Sequence, residues 1–200
     1  LAQVLRMRGK HDEAETLYRR SLAIATGLYG RDHPEVAFAI GGLAGLLYEQ
    51  SRFDEAEASF REALGIERET LGPDHQQVAT TLLWIAHVLQ AKGDYGQAEI
   101  VIREALDLYL RTLGEDHEKV ATVFHNLAVG RREQGDLEGA LPLFERARTI
   151  REACPLAAIA DLTSSSATPG DPVRRSATSG ACSRRSTRTR WPLCGWVIAG

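Results

Sequence analysis

"GRDHPEVA", residues 30–37, sets an aspartate, a histidine and a glutamate within a few positions of one another. Such a group is either a metal or acid–base cluster or the opening of a helix. The surrounding stretch returns twice: YGRDHPEVA at 29–37, LGPDHQQVA at 71–79 and LGEDHEKVA at 113–121, each copy 42 residues after the last. Helix layers sit about 10 Å apart, so His33, His75 and His117 cannot share one ion. The stretch therefore reads as punctuation. Gly30 or Gly72 ends one helix, where a left-handed residue costs least. Asp32 is expected to cap the next helix, with Glu35 at capping-box spacing, and Asp74 and Gln77 repeat that relation. Pro34 falls in the first turn, where no amide donor is missed. The histidines are expected to pack at the turn or to bond a neighbouring backbone group.

Other columns keep the same period. Ala14, Ala56, Ala98 and Ala140 align, as do Ala2, Ala44, Ala86 and Ala128; Leu1, Leu43, Ile85 and Leu127; and Tyr18, Phe60, Ile102 and Phe144. Within a unit the apolar spacing is helical: Val36, Ile40, Leu43 and Leu47 recur at threes and fours. Breaks such as EQSRFDEA (49–56) and AKGDYGQA (91–98) divide each unit into two helices, A (34–50 in the second unit) and B (53–70). Ala44 and Ala56 let A and B approach closely, and Phe60 fills the space beside them. Three full pairs cover 34–71, 76–113 and 118–153, after a shortened first unit with A at 1–8 and B at 11–28. A helix pair buries little alone, whereas stacked pairs share a continuous core. The expected fold is all-α, an α-solenoid of antiparallel helix pairs over 1–153, with units at about 1–33, 34–75, 76–117 and 118–153.

The small and large columns resemble tetratricopeptide repeats, on Leu43, Ala44, Leu47, Ala56, Phe60 and Ala63. The 42-residue period and the pattern DEAExxxREALxIxxxxLGxDHxxVA resemble the kinesin light chain type of this repeat, over residues 1–153. Two departures stand out. Arg131 replaces the apolar residue seen at Leu5, Leu47 and Leu89, which predicts a looser last A helix. Gly41 and Gly42 stand where this repeat type often carries an asparagine pair, of which only Asn126 remains.

Composition narrows the function classes. The chain is 44% apolar and 26% charged, as in an ordinary globular protein. No apolar run approaches the ~18–20 residues of a membrane helix. Residues 1–153 hold 18 Lys+Arg against 25 Asp+Glu and no cysteine. That excludes a disulfide framework and a cysteine-ligated zinc site, and it fits a cytoplasmic protein. Basic residues do not cluster in this body, so no nucleic-acid groove is expected. GGLAG (41–45) lies inside a helix with no strand before it, and no Walker loop, HExxH or nucleophile elbow occurs. Paired acids such as Asp12–Glu13 open B helices, where they favour the macrodipole. No catalytic, cofactor or metal residue is assigned.

The resemblance implies a protein–protein interaction scaffold without catalysis, binding a peptide or partner protein against the A helices. The family's groove positions fall on Arg6, on Phe38, Gly41 and Tyr48, on Thr80, Leu83, His87 and Gln90, and on Thr122, His125 and Arg132. Gly41 and Gly45 are expected to leave a shallow pocket between Phe38 and Tyr48. The other open reading is a sensor or recruiting arm of a larger signalling ATPase or enzyme, motivated by the missing Met and the shortened first unit.

After TIREAC the register ends; the next LGxDH is due at 155–159, where the chain reads PLAAI. Residues 154–200 carry six arginines, no lysine and all three cysteines. Their composition predicts disorder. Two accounts stay open: a basic Arg/Ser linker, or a GC-rich gene read out of frame from about 154. In either, the outer apolar face of the last B helix (Leu141, Leu143, Ile150) is expected to be exposed or covered only by a short helix near 156–162, which invites fraying or self-association.

Overall fold

The computed structural model describes the backbone of residues 1–165 and the side chains of residues 1–153. The helices are α1 (Ala2–Met7), α2 (His11–Tyr29), α3 (Pro34–Glu49), α4 (Phe53–Thr70), α5 (Gln76–Ala91), α6 (Tyr95–Leu113), α7 (Glu118–Glu133) and α8 (Leu137–Ser165). No strand occurs among the described residues. Leu1–Ala160 form one compact unit; of a second, Asp161–Gly200, only the end of α8 is described. The expected A and B helices are present, with ends within a residue or two. The last B helix differs: α8 runs on to Ser165 without a break. The expectation of disorder falls mainly on 166–200, outside the described residues.

Helix pairs stack in chain order. The A helices α3 and α5 pack on their own B helices, α4 and α6, and each B helix from α2 to α6 packs on the A helix that follows it. The alanine columns make this possible. Ala44, Ala86 and Ala128 on A, and Ala14, Ala56, Ala98 and Ala140 on B, are fully or almost fully buried. Phe60 and Ile102 fill the space beside them. The core runs unbroken from Leu43 to Ile150, as expected of layers that share one interface after another.

The turns from B to A correct the capping assignment. The N-cap is the histidine, not the aspartate before it. His33 Nδ1 accepts from the Glu35 amide at 3.2 Å, His75 Nδ1 from Gln77 at 3.1 Å and His117 Nδ1 from Lys119 at 3.1 Å. Each histidine has the extended backbone of a cap (φ −128°, −76° and −82°). In the first turn Pro34 follows at once and fixes the helix start. Asp74 instead accepts from Arg111 at 2.7 Å. The glycines do what spacing predicts: Gly30, Gly72 and Gly114 have φ of 83°, 89° and 82°.

The turns from A to B vary more. Gly9, Gly93 and Gly135 adopt positive φ, and Ser51 does so at the matching position (φ 61°). The next residue caps the B helix where it is acidic. Asp94 Oδ1 accepts from Gln97 at 3.1 Å and Asp136 Oδ1 from Gly139 at 2.8 Å. Lys10 and Arg52, at the same position, make no side-chain cap.

Adjacent layers are also joined by charge. Glu15, Glu57 and Glu99 form one column on the B helices. Each binds the arginine one turn on (Arg19, Arg61, Arg103) and a cation from the next layer. That cation is Arg52 at 3.1 Å for Glu15, Lys92 at 2.9 Å for Glu57 and Arg131 at 2.8 Å for Glu99. Arg131 also reaches Asp136 at 2.9 Å. The arginine expected to loosen the last A helix is thus held by carboxylates of both the preceding B helix and the turn into the following one. These pairs hold all three glutamates below the usual carboxylate pKa, through Arg19 first at Glu15, Lys92 first at Glu57 and Arg131 first at Glu99.

Candidate partner-binding surface

The positions expected from the sequence lie on the A helices, of which α3, α5 and α7 bury more of their residues than the B helices α2, α4 and α6 do. On α3, Phe38 stands out at 74% exposure, the largest exposed apolar side chain on an A helix. Gly41 lies one turn on, with open space where a Cβ would be. Gly45 corrects the expected pocket. It is buried, and the Arg6 guanidinium lies 2.9 Å from where its Cβ would sit. Arg6 therefore fills that hollow, held also by Glu49 at 3.6 Å. Gly42 is closed in the same way by the ring of Tyr18, 2.8 Å from a Cβ position.

Tyr48 belongs to an aromatic cluster. Its ring meets Phe53 at 5.7 Å and the edge of Trp84 at 6.3 Å. Trp84 stacks on Phe60 at 5.7 Å and meets His87 edge-on at 5.7 Å. Such pairs add about 0.5–1.5 kcal/mol beyond area burial. Leu83 is half-buried against the core. His87 faces the next layer, where it bonds Asn126; burial pushes its pKa down and that bond partly opposes the shift. Gln90 donates to the Asn126 carbonyl at 3.2 Å, and its amide lies over Gly130, where a Cβ would come within 2.9 Å. His87 and Gln90 thus spend their polar atoms between layers.

The remaining candidates split. The Thr80 hydroxyl lies 3.0 Å from the Tyr109 hydroxyl. Exposed Thr122 donates back to the Glu118 carbonyl at 3.2 Å. The His125 ring meets Phe144 at 5.3 Å; burial lowers its pKa, and Arg151 and Arg132 push the same way. Arg132 is exposed and pairs with its neighbour Glu133 at 2.7 Å. Phe38, Gly41, Thr122 and Arg132 therefore keep open surface, whereas Arg6, Tyr48, His87 and Gln90 are engaged by the protein itself.

Spacing alone missed three residues. Trp84 occupies a column shared with Gly42 and Asn126, and this loss of consistency within a register of otherwise alike residues is the signal that marks it. Lys119 lies 5.6 Å above the Tyr109 ring and donates to Gln76 at 3.3 Å. Glu67 is buried at 3% exposure; burial raises its carboxyl pKa, and hydrogen bonds to Thr81 and Gln77 offset part of the rise. Among the described residues, no group of three or more His, Cys, Asp or Glu is placed to hold a metal. No helix among them is long and apolar enough to cross a membrane.

The tetratricopeptide repeat family model matches residues 1–69, 39–83 and 77–153. The chain belongs to the tetratricopeptide repeat family. Its fold is similar to that of BtubC (BKLC) from P. vanneervenii, with a TM-score of 0.69 and 22% identity over 96% of this chain and 68% of that one. It is also similar to a putative kinesin light chain with nearly identical TPR-like repeats from Podosopora anserina, with a TM-score of 0.65 and 23% identity over 77% of this chain and 73% of that one. The apo form of RapI matches with a TM-score of 0.67 and 17% identity, over 78% of this chain and 54% of that one. No curated protein matches the chain. These likenesses show the fold, a solenoid of repeated helix pairs.

Proposed function

We propose that this tetratricopeptide chain is a non-catalytic, cytoplasmic scaffold that holds an extended peptide or a partner helix along its A helices. The observation that carries the reading is Phe38, a large apolar ring left in solvent on an otherwise well-buried helix. Isolated exposed apolar residues are ordinary. Phe38, however, stands beside the open Gly41 position and in the column of Thr80 and Thr122. An apolar anchor of the partner packs on Phe38 and over Gly41, and polar groups further along meet Thr122 and Arg132. Few aromatic or arginine contacts carry most of the energy in such interfaces.

Peptides selected from a random library against the full chain test this reading. Phe38→Ala weakens the selected peptides about tenfold, and Arg132→Glu weakens acidic ones by a smaller factor, while the melting temperature stays the same. Selected peptides that bind both variants as tightly as the parent would rule out the A-helix surface.

A further inference from the structure

The last B helix keeps only Leu141 of its expected outer face open, since Ile150 lies in the core and Leu143 is half-buried. The joint between α4 and α5 holds a sharper irregularity. Glu67 on α4 shares a column with Ala25 and Tyr109, and all three are buried. At the next joint Tyr109 sets its hydroxyl 3.0 Å from that of Thr80, with Lys119 over its ring. Glu67 is less well provided for. Thr81 and Gln77, both on α5, bond its carboxyl, but Oε2 lies buried without a partner. Among the described residues no cation pairs with it. The charged groups of the surrounding elements are committed elsewhere. Arg31, in the turn before α3, reaches Glu62, and Arg68 reaches Glu104 on α6. Arg111 of α6 holds Asp74, and Lys119 of α7 donates to Gln76. His33 and His75 spend Nδ1 on the caps of α3 and α5, while Glu69 and, on α3, Glu35 are exposed.

We propose that Glu67 is a proton-operated latch between the second and third units: as a neutral acid it seals the α4–α5 joint, and as a carboxylate it loosens that joint alone. An unpaired charge costs far more to bury than a neutral carboxyl with one open hydroxyl. The cost falls at one place because the stability of a solenoid is a sum over neighbouring interfaces. Where α6 meets α7, Tyr109 stands in the column of Glu67 and Val123 in that of Thr81, so no acid ionises there. The direction of the response follows from burial, which raises the Glu67 pKa while the two hydrogen bonds recover only part of the rise. The folded chain then keeps a proton that the unfolded chain releases from about pH 4.3 upward. The stability given by Glu67 is whole below that pH and is lost as pH rises through the folded value. His87 and His125 respond in the opposite sense, losing stability on acidification. Phe38 and Gly41 stand on one side of this joint, Thr122 and Arg132 on the other. The latch therefore sets the spacing between the two ends of a bound partner, a consequence that rests on the A-helix reading above.

Hydrogen exchange on the full chain between about pH 5 and pH 8, corrected for the intrinsic pH dependence of amide exchange, tests the latch. As pH rises, protection at 63–70 and 76–83 is expected to fall about tenfold more than protection at 105–112 and 118–125. Glu67→Gln keeps the shape of the neutral acid and abolishes that extra fall. It melts about 2–4 °C above the parent at the alkaline end and by less at the acid end. Glu67→Ala puts the residue of the first unit at this position and also abolishes the extra fall, which keeps the test open if the amide packs badly. A parent whose protection falls alike at both joints overturns the proposal. So does an extra fall that survives in both variants, or a Glu67→Gln chain that melts below the parent by the same margin at every pH. No peptide enters this experiment, so a working latch in a chain that binds nothing along its A helices would count against the binding surface and not against the latch.

Discussion

The two kinds of turn in this solenoid solve one problem under different constraints. Three successive B-to-A turns are nearly identical: glycine, aspartate, histidine, with the imidazole as cap. The A-to-B turns use glycine or serine, then lysine, arginine or aspartate. The backbone explains the contrast. Gly30 and Gly114 combine φ of 83° and 82° with ψ of 171° and 173°, a region almost closed to residues with a Cβ. Ser51 shows that the other turn accepts a side chain. The residue after it then serves one of two partners. Arg52 forgoes the cap and crosses to Glu15. Asp94 and Asp136 cap, and the cation for the previous layer moves to Lys92 or Arg131. Local capping and cross-layer pairing compete for one position, and the repeat satisfies both by shifting the cation.

Chemical denaturation can break that contrast. Gly114→Ala is expected to cost about 1–3 kcal/mol, against about 1–2 kcal/mol for Gly93→Ala; equal costs would erase the distinction between the turns. Asp136→Ala loses a cap, about 1 kcal/mol, and also one hold on Arg131, so it exceeds Asp94→Ala. His117→Ala costs about 1 kcal/mol and His117→Asn much less, because asparagine caps as well; an equal loss for both would mean that the ring's packing matters more than its acceptor. Ser51→Gly gains about 0.5 kcal/mol, relief of positive φ outweighing the freer unfolded chain.

The smallest effect is acid sensitivity. His87 and His125 have folded pKa values below the ordinary one, chiefly through burial. The unfolded chain therefore binds protons that the folded chain refuses, and stability falls as pH drops through about 6.5. Melting curves of His87→Gln between neutral and mildly acid pH should slope less than those of the parent. An unchanged slope would place the acid sensitivity elsewhere.

The period of 42 makes the architecture legible in the sequence itself. Helices expected at 34–50 and 53–70 are found at Pro34–Glu49 and Phe53–Thr70, because alanine columns in register admit few other packings. Capping departs from the expectation for a physical reason. Asp32 and Glu35 have capping-box spacing, yet the helix begins one residue later, at Pro34, and the imidazole Nδ1 can accept where a carboxylate was expected. The candidate surface was legible only as a set of positions. Spacing places Gly45 and His87 in one column but does not say that Arg6 covers the first, or that the second bonds across to Asn126. Those outcomes depend on long side chains from neighbouring layers, and a column of one residue type per layer carries no such information.

The three glycines of α3 have a consequence for the order of assembly. Gly41, Gly42 and Gly45 cost that helix roughly 3 kcal/mol of intrinsic stability relative to alanine, and Tyr18 and Arg6 occupy the space that larger residues at Gly42 and Gly45 would need. Alone, α3 is among the poorest helix formers in the chain; against α4 and α2 it is among the best buried. The α5–α6 pair carries no such handicap within α5, so the array is expected to nucleate there and α3 to wind last, which site-resolved folding kinetics would check.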